Sequence, residues 1–244
     1  MCGRYELHTH PAAIALAFGL NRVPELHARY NIAPMTEVAV VRVDSEGGRE
    51  LVRMRWGLVP RWAKDPTIGA RMINARAETL SEKPSFRTAY RRHRCLIPAN
   101  GFYEWREVTS PHPHKEPLHI GMQDGSVFAF AGLSERWLGA DGDVLDTCTI
   151  VTTMANTLLR PLHDRMPVIV APEHYARWLD PKQPSADDLL APYPSAAMAW
   201  YPVSTRLNAV RNDDESLLHP VGPAHGAPQS EPSPEGDPEQ ESLF

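Results

Sequence analysis

The feature that most constrains the fold is a succession of short segments, between residues 37 and 203, whose residue pattern is typical of β-strands. Turns and loops containing glycine, proline or aspartate separate several of them. The predicted strands cover residues 37–43, 50–58, 71–76, 95–98, 101–108, 118–122, 127–133, 147–153, 166–170 and 198–203. Because strands dominate and helices are interspersed irregularly, we expect an α+β fold with a mixed, barrel-like sheet and surrounding helices.

Helices are predicted where a capping residue or a proline precedes a suitable segment. Thr9 is the expected N-cap of a helix over residues 11–18, and Gly19 is its expected end. Two further helices are predicted over residues 85–92, which are basic, and residues 173–179, which follow a proline. Residues 44–48 are expected to form a hairpin turn, and residues 109–117 a loop rich in proline and histidine.

The composition of the chain changes at residue 221. The 244-residue chain is 42% hydrophobic, which is enough for a buried core in one folded domain over residues 1–220. Residues 221–244 contain five prolines and five carboxylates but no lysine or arginine. Such a segment cannot bury enough apolar surface to order itself. We therefore predict a disordered, acidic, proline-rich tail over residues 221–244.

The net charge of −5 comes entirely from that tail, because residues 1–220 carry 25 basic and 25 acidic groups. Within this neutral body, residues 49–94 hold twelve Lys or Arg against four Asp or Glu, and ten of the twelve are arginine. This asymmetry indicates an anionic ligand, with nucleic acid first. A solvated surface whose charges balance in three dimensions explains it equally well at this point.

The cysteine pattern and the hydropathy exclude several classes of protein. Three cysteines without a CxxC motif or paired spacing fit neither a disulfide framework nor a zinc site, so we expect a reducing, cytoplasmic setting and no metal. The apolar run over residues 10–20 is too short to span a membrane, so no membrane partner is expected. Prolines interrupt His112, His114 and His119, which we interpret as part of a solvated loop.

The first residues, Met1-Cys2-Gly3-Arg4-Tyr5, could form an unusual nucleophile. Removal of Met1 leaves Cys2 with a free α-amine beside its own thiol, and a fraction of that amine is neutral at physiological pH. Such a 1,2-aminothiol reacts with aldehydes, since the amine forms a Schiff base and the thiol then closes a thiazolidine ring. Gly3 allows the terminus to enter a pocket, and Arg4 could hold a phosphate beside it. A frayed chain end is the alternative.

Polar side chains also occur inside predicted strands, where they could line a cleft. Alternation places Asn74, Arg76 and Glu78 on one strand face. Glu104 stands between two aromatic residues, which removes water from its carboxylate and suits it to proton transfer. The alternative for the segment with Asn74 is an ordinary half-exposed strand. The alternative for Glu104 is an exposed strand with its glutamate in water.

Two further segments could transfer a proton or bind a nucleic acid. His163 and Arg165 share a strand face, so a proton donor or acceptor stands beside a phosphate-binding group. A histidine that only caps the preceding turn is the alternative. Trp62 lies in a loop beside Arg61, where an aromatic ring could stack on an unpaired base.

Together these segments resemble the SRAP family, named for SOS response-associated peptidase. The resemblance runs from Cys2 to about Asn208. It is carried by Met-Cys-Gly-Arg at the start, by Trp56-Gly57-Leu58-Val59-Pro60 with Trp62, by Asn74-Ala75-Arg76-Ala77-Glu78, by Pro98-Ala99-Asn100-Gly101-Phe102-Tyr103-Glu104-Trp105 and by His163-Asp164-Arg165-Met166-Pro167. The order of several long motifs makes the resemblance specific, although no single motif would.

The resemblance implies a function in the DNA damage response: sensing abasic sites in single-stranded DNA and cross-linking to them covalently through Cys2, without a cofactor. It also implies a β-rich core around a positively charged channel, and a cytoplasmic, nucleoid-associated location. The implied catalytic residues are Cys2, Asn74, Glu104 and His163. The implied DNA-binding residues are Arg4, Arg76 and Arg165, to which the stacking argument adds Trp62.

Two other functions remain open at this point. Cys2 could act as the N-terminal nucleophile of a cysteine peptidase, with Glu104 or His163 as its base, as the family name implies. Alternatively, the arginines and Trp62 could form a non-catalytic binder of single-stranded DNA. A separate expectation concerns Gln240-Glu241-Ser242-Leu243-Phe244, which resembles the short peptide by which many bacterial repair proteins bind the sliding clamp.

Overall fold

The structure, a computed structural model, describes residues 2–109, 113–183 and 185–226. Its α-helices are α1 (Pro11–Phe18), α2 (Arg87–Arg92) and α3 (Tyr175–Leu179). The strands are β1 (Tyr5–Leu7), β2 (Arg29–Ile32), β3 (Glu37–Val43), β4 (Arg49–Trp56), β5 (Asn74–Arg76), β6 (Arg94–Ala99), β7 (Gly101–Val108), β8 (His114–Met122), β9 (Phe128–Leu138), β10 (Val144–Met154), β11 (Arg165–Pro167), β12 (Ile169–Val170) and β13 (Met198–Pro202).

Five strands close into a barrel. The pairing runs β10–β4–β3–β6–β9 and returns to β10. β4 and β10 are parallel and the other pairs are antiparallel, so the sheet is mixed. The predicted α+β fold with a mixed, barrel-like sheet is therefore confirmed. Three short strands pair with barrel strands but are not part of the closed ring: β5, β11 and β12. The first two carry residues that the sequence analysis identified as candidates.

A second, antiparallel sheet covers the barrel in the order β13–β8–β7–β1–β2. Its inner face packs through aromatic rings: Tyr5 and Phe102 both meet Phe130 of the barrel edge-on, with ring centroids 5.7 and 5.9 Å apart. Edge-on aromatic pairs combine a large buried area with a fixed geometry. Since Tyr5 lies near the N-terminus, this packing anchors the first residues of the chain in the core.

The junction between the two sheets explains why the first helix has a different cap from the predicted one. Asn100 connects β6 to β7, and its side-chain oxygen accepts hydrogen bonds from the backbone N–H groups of His8 and Thr9. Because Thr9 is bonded to Asn100, the N-cap of α1 is His10, whose Nδ1 accepts from the N–H of Ala12. The prediction of Thr9 as N-cap is wrong, whereas Gly19 does end the helix.

The arginine-rich stretch does not form one cationic surface. Arg49 and Arg55 donate to the backbone carbonyls of Phe18 and Pro66. Arg94 is buried and donates to four carbonyl oxygens, so it fixes the chain between α2 and the segment after α3. Buried guanidinium groups need such partners. Arg53 also donates to the carbonyl of Glu25, and Arg61 to the carboxylate of Glu135. At least five of the twelve basic residues are therefore bonded within the protein, and the local charge overstated the surface available to an anion.

The chain stays attached to the domain beyond residue 220. The N–H of Val221 donates to Pro202, and Trp200 and His225 exchange two backbone hydrogen bonds of 2.9 and 2.8 Å. Residues 221–226 therefore run along β13, six residues past the predicted domain boundary. The rest of the predicted tail, with the motif at residues 240–244, lies outside the described residues. Among the helices of the described ranges, none has the length and apolar character to cross a membrane.

Candidate active site

Cys2 is buried inside the domain and is not a frayed end. Its side chain has no solvent exposure, because the chain that follows it enters β1 between β2 and β7. The backbone carbonyl of Arg4 accepts a hydrogen bond from the N–H of Tyr103, which extends this pairing towards the terminus. The fold thus carries the backbone of Cys2 into the space between the barrel and the second sheet.

Asn74 holds this terminus from the barrel side. It is the first residue of β5, which pairs in parallel with β10, and its Nδ2 donates to the carbonyl oxygen of Cys2 at 2.8 Å. The other end of the amide, Oδ1, is buried and accepts no hydrogen bond from a described residue. A buried acceptor without a donor is costly. This oxygen is therefore available to accept from a group at the terminus of the chain.

Glu104 of β7 provides a carboxylate close to the thiol. Its side chain is 8% exposed, so the predicted removal of water from this carboxylate is observed. Burial raises the pKa of the Cys2 thiol well above its usual range, and the negative charge of Glu104 raises this pKa further. The thiol is therefore protonated at neutral pH, and it must lose its proton to a base before it can react as a thiolate.

Arg165 is the first residue of β11, and His163 precedes this strand by two residues. β11 pairs with β10 on the side opposite to β5. The backbone N–H of Arg165 donates to Nδ1 of His163 at 2.9 Å. Since an N–H can only donate, Nδ1 must be the acceptor, and neutral His163 carries its proton on Nε2. This contact with the backbone orients the imidazole ring of His163.

The predicted DNA-binding residues fall into three environments. Arg76 is exposed at the end of β5, two residues after Asn74. Arg4 is half-buried, and its Nη1 donates to Asn31 and to the carbonyl of Leu207, which gives it a structural role. Trp62 is 58% exposed beside an open cleft that contains none of the predicted catalytic residues.

The structure therefore brings Cys2, Asn74 and Glu104 together directly. Arg165 is connected to the same region through Thr152 of β10. The guanidinium of Arg165 donates to the carbonyl of Thr152, and Thr152 is the register partner of Arg76 on β5. Trp62 lies apart from both groups in the described contacts. A buried thiol, an amide and a carboxylate therefore form one cluster, and the exposed Arg76 lies on the strand that carries Asn74.

Comparison with known proteins decides the family. The family described as SOS response associated peptidase (SRAP) matches residues 1–210. The chain belongs to the SRAP family. It is 44% identical over 224 residues to the abasic site processing protein YoqW of Bacillus subtilis, a match that covers 89% of this chain and 99% of that protein. It is 30% identical over 231 residues to the abasic site processing protein YedK of Escherichia coli, covering 91% and 100% respectively.

A solved structure supports the SRAP fold independently. A protein from Bacteroides thetaiotaomicron superposes with a TM-score of 0.80 at 27% identity, and the match covers 90% of this chain and all of that one. The match to nearly the whole described domain agrees with a single SRAP domain rather than two smaller units. The predicted family is therefore confirmed.

Two polar groups of this SRAP domain escaped the sequence analysis. Asn31 of β2 is buried and bonds Arg4 together with three carbonyl oxygens of the segment after β13. Glu6 of β1 is buried between His8 and His119, with 3.1 Å to a ring nitrogen of each. His119, which we expected in a solvated loop, is therefore a core residue of β8. Neither Asn31 nor Glu6 belongs to a local pattern that could have revealed it.

Proposed function

We propose that this SRAP protein captures abasic sites in single-stranded DNA by forming a covalent thiazolidine through Cys2. The observation that carries the proposal is the buried Cys2, held by Asn74 and placed close to the carboxylate of Glu104. Two relatives, each matched over nearly its whole length, are named abasic site processing proteins, which supports the same substrate for this chain. The proposal requires that Met1 be removed.

The proposed reaction joins three groups and releases one water. An abasic deoxyribose opens to an aldehyde at C1′. The neutral amine of Cys2 adds to this carbon, and the resulting carbinolamine takes up one proton from solvent and loses water to give an iminium ion. The Cys2 thiol then adds to the same carbon and gives its proton to a base, which leaves a five-membered thiazolidine. No oxidant or reductant takes part.

The order of attack follows from the electrostatics of the thiol. Burial and the charge of Glu104 both raise the thiol pKa, so the amine is the better first nucleophile at neutral pH. The Oδ1 of Asn74, buried and without a donor among the described residues, is positioned to accept a hydrogen bond from the amine. This contact would fix the amine lone pair towards C1′ while Nδ2 holds the carbonyl of the same residue.

Glu104 and His163 have different roles in the proposed reaction. Glu104 acts as the base for the thiol, because its negative charge already influences the thiol. His163, with its proton on Nε2, donates a hydrogen bond to the leaving oxygen during ring opening and loss of water. Arg76 and Arg165 hold phosphates that flank the lesion, and Trp62 stacks on a neighbouring base. Arg4 contributes by fixing the strand that carries Cys2.

A denaturing gel tests the proposal. The protein is incubated with a single strand that contains one abasic site and with the same strand intact. We expect a heat-stable, slower band with the abasic strand alone, whose mass equals protein lacking Met1 plus DNA minus one water. A complex seen only on a native gel would instead show a non-catalytic binder. Cleavage of peptides without any adduct would show a peptidase.

The salt dependence of binding should report the phosphate contact of Arg76. Protein–DNA affinity falls with salt because bound phosphates release counterions. Arg76→Ala should weaken binding of an intact single strand and reduce the slope of log affinity against log salt by roughly one unit. Fluorescence anisotropy at four salt concentrations measures this slope.

Arg22→Ala is the matched control for Arg76→Ala. Arg22 is exposed and lies beside Asp44 and Arg49, and Arg49 is the first residue of β4. The other end of β4, at Trp56, is the end that contacts the segment leading into β5. This variant should keep the wild-type slope. Equal slopes for wild type, Arg76→Ala and Arg22→Ala would place the DNA elsewhere on the protein.

A second partner is proposed from the sequence of the last five residues. We propose that Gln240-Glu241-Ser242-Leu243-Phe244 binds a sliding clamp, with Leu243 and Phe244 as apolar anchors. A labelled peptide covering residues 237–244 should bind the clamp of the same organism, and replacing both anchors with alanine should abolish binding. Equal anisotropy curves for the two peptides would end this proposal, and deletion of residues 227–244 should leave adduct formation intact.

A further inference from the structure

The guanidinium of Arg165 already holds an anion of this same chain. Its Nη1 and Nη2 donate to the two carboxylate oxygens of Glu78 at 3.0 and 2.9 Å. Its other bonds go to Thr152, from Nη2 to the carbonyl oxygen at 2.6 Å and from Nε to the hydroxyl at 3.4 Å. These bonds use four of the five N–H groups of the side chain.

The two partners of Arg165 lie on opposite sides of it. Thr152 is fully buried at the point of β10 where β5 and β11 both attach. The side chain of Glu78 is 47% exposed, whereas that of Arg165 is 13% exposed. Glu78 therefore covers the edge of the guanidinium that faces solvent. A ligand approaching from solution meets the carboxylate before it can reach Arg165.

A carboxylate in this geometry resembles a phosphate. Both anions offer two oxygens at the spacing of the paired N–H groups of arginine, so both bind it in the same fork-like manner. The hydrogen bonds from Arg165 lower the pKa of Glu78, so its carboxylate is charged at neutral pH. Arg76, two residues earlier, is close enough to influence this carboxylate and can attract it once it leaves Arg165.

We propose that Glu78 is a built-in competitor for the phosphate site at Arg165, which a DNA phosphate must displace before Arg165 can bind it. The inference rests on the proposed function, because that function assigns a DNA phosphate to Arg165. The exchange weakens non-covalent binding to every strand by the same factor. Long residence on DNA then depends on the covalent bond at an abasic site, which discriminates damaged from intact strands.

Affinity for an intact single strand tests the competition. Glu78→Gln keeps the shape of the side chain but gives up its charge, and it should bind the strand about fivefold more tightly at low salt. Glu82→Gln removes the same charge from an exposed side chain four residues later, and it should change the affinity less than twofold. Fluorescence anisotropy measures both variants beside the wild type.

Glu78→Asp separates competition from charge. Aspartate keeps the negative charge but is one methylene too short for the fork-like pair, so this variant should still bind about twofold more tightly. In an Arg165→Gln background the gain from Glu78→Gln should disappear, since the group it competes for is gone. Thermal unfolding of each variant confirms that the fold is kept.

The outcomes separate this inference from the function on which it rests. Equal affinities for Glu78→Gln and Glu82→Gln, with Glu78→Asp at the wild-type value, overturn the competition and leave adduct formation untouched. A gain from Glu78→Gln that persists in the Arg165→Gln background also overturns it, because the effect is then general electrostatics. A wild type that neither binds single strands nor forms the adduct overturns the proposed function and this inference together.

Discussion

Cys2→Ala is expected to abolish the heat-stable adduct with an abasic strand. Alanine at the new N-terminus still offers an amine, so it can form an imine with the aldehyde. Without a thiol, the ring cannot close, and the imine hydrolyses during denaturation. Borohydride should therefore trap a reduced adduct from Cys2→Ala, whereas the untreated sample should show none. Denaturing gels with and without borohydride measure both outcomes.

Cys95→Ala is the matched control for the loss of a thiol. Cys95 is also fully buried but lies in the barrel, on β6, so its removal should leave the adduct unchanged. Cys2→Ser should behave like Cys2→Ala, because a hydroxyl closes the ring less well. An undiminished heat-stable adduct from Cys2→Ala would refute the thiazolidine, as would a fully active protein whose mass shows that Met1 is retained.

Local patterns were enough to predict most strands. β3 (Glu37–Val43) has the predicted bounds, and the turn that follows it is stabilised by its own residues. The side chain of Asp44 accepts hydrogen bonds from the N–H groups of Glu46 and Gly48 at 2.8 Å each. Because every group in this hairpin turn lies within five residues, the sequence itself carries the information.

The joining of distant segments could not be predicted in this way. Asn74 meets Cys2 only because β5 lies parallel to β10, whose paired residues are 76 positions further along the chain. No local periodicity encodes that pairing. The loop predicted over residues 109–117 is wrong from His114 onwards for the same reason, because β7 provides a partner strand and β8 begins at His114. Residues 110–112 of that loop lie outside the described residues.

The segment around Asn74 agrees only in part with the strand face that was predicted from the alternation of polar and apolar residues. Asn74 and Arg76 belong to β5 as expected, but the strand ends there and Ala77–Thr79 form a short 3-10 helix. Glu78 therefore leaves the predicted strand, although its side chain still reaches Arg165. The residue types indicated that charged groups lie in this segment, while the partner of each charge depended on tertiary structure.

Glu104→Gln should slow adduct formation by about 10²–10⁴-fold, the usual contribution of a positioned acid or base. Glutamine keeps the size and hydrogen-bonding shape of the side chain but cannot take the proton of the thiol. The rate constant is measured by quenching samples of the reaction at successive times on denaturing gels. Glu107→Gln, an exposed residue of the same strand, removes the same charge and should keep the wild-type rate.

The pH dependence of Glu104→Gln distinguishes a base from a structural residue. Burial is the larger cause of the raised thiol pKa and the charge of Glu104 the smaller, so this variant lowers the pKa but leaves it raised. Solvent hydroxide can then replace the missing base, and the rate of Glu104→Gln should rise with pH more steeply than the wild-type rate. A variant that is slow by the same factor at every pH has lost positioning rather than proton transfer. A variant as fast as the wild type at every pH would remove Glu104 from the mechanism as the base for the thiol.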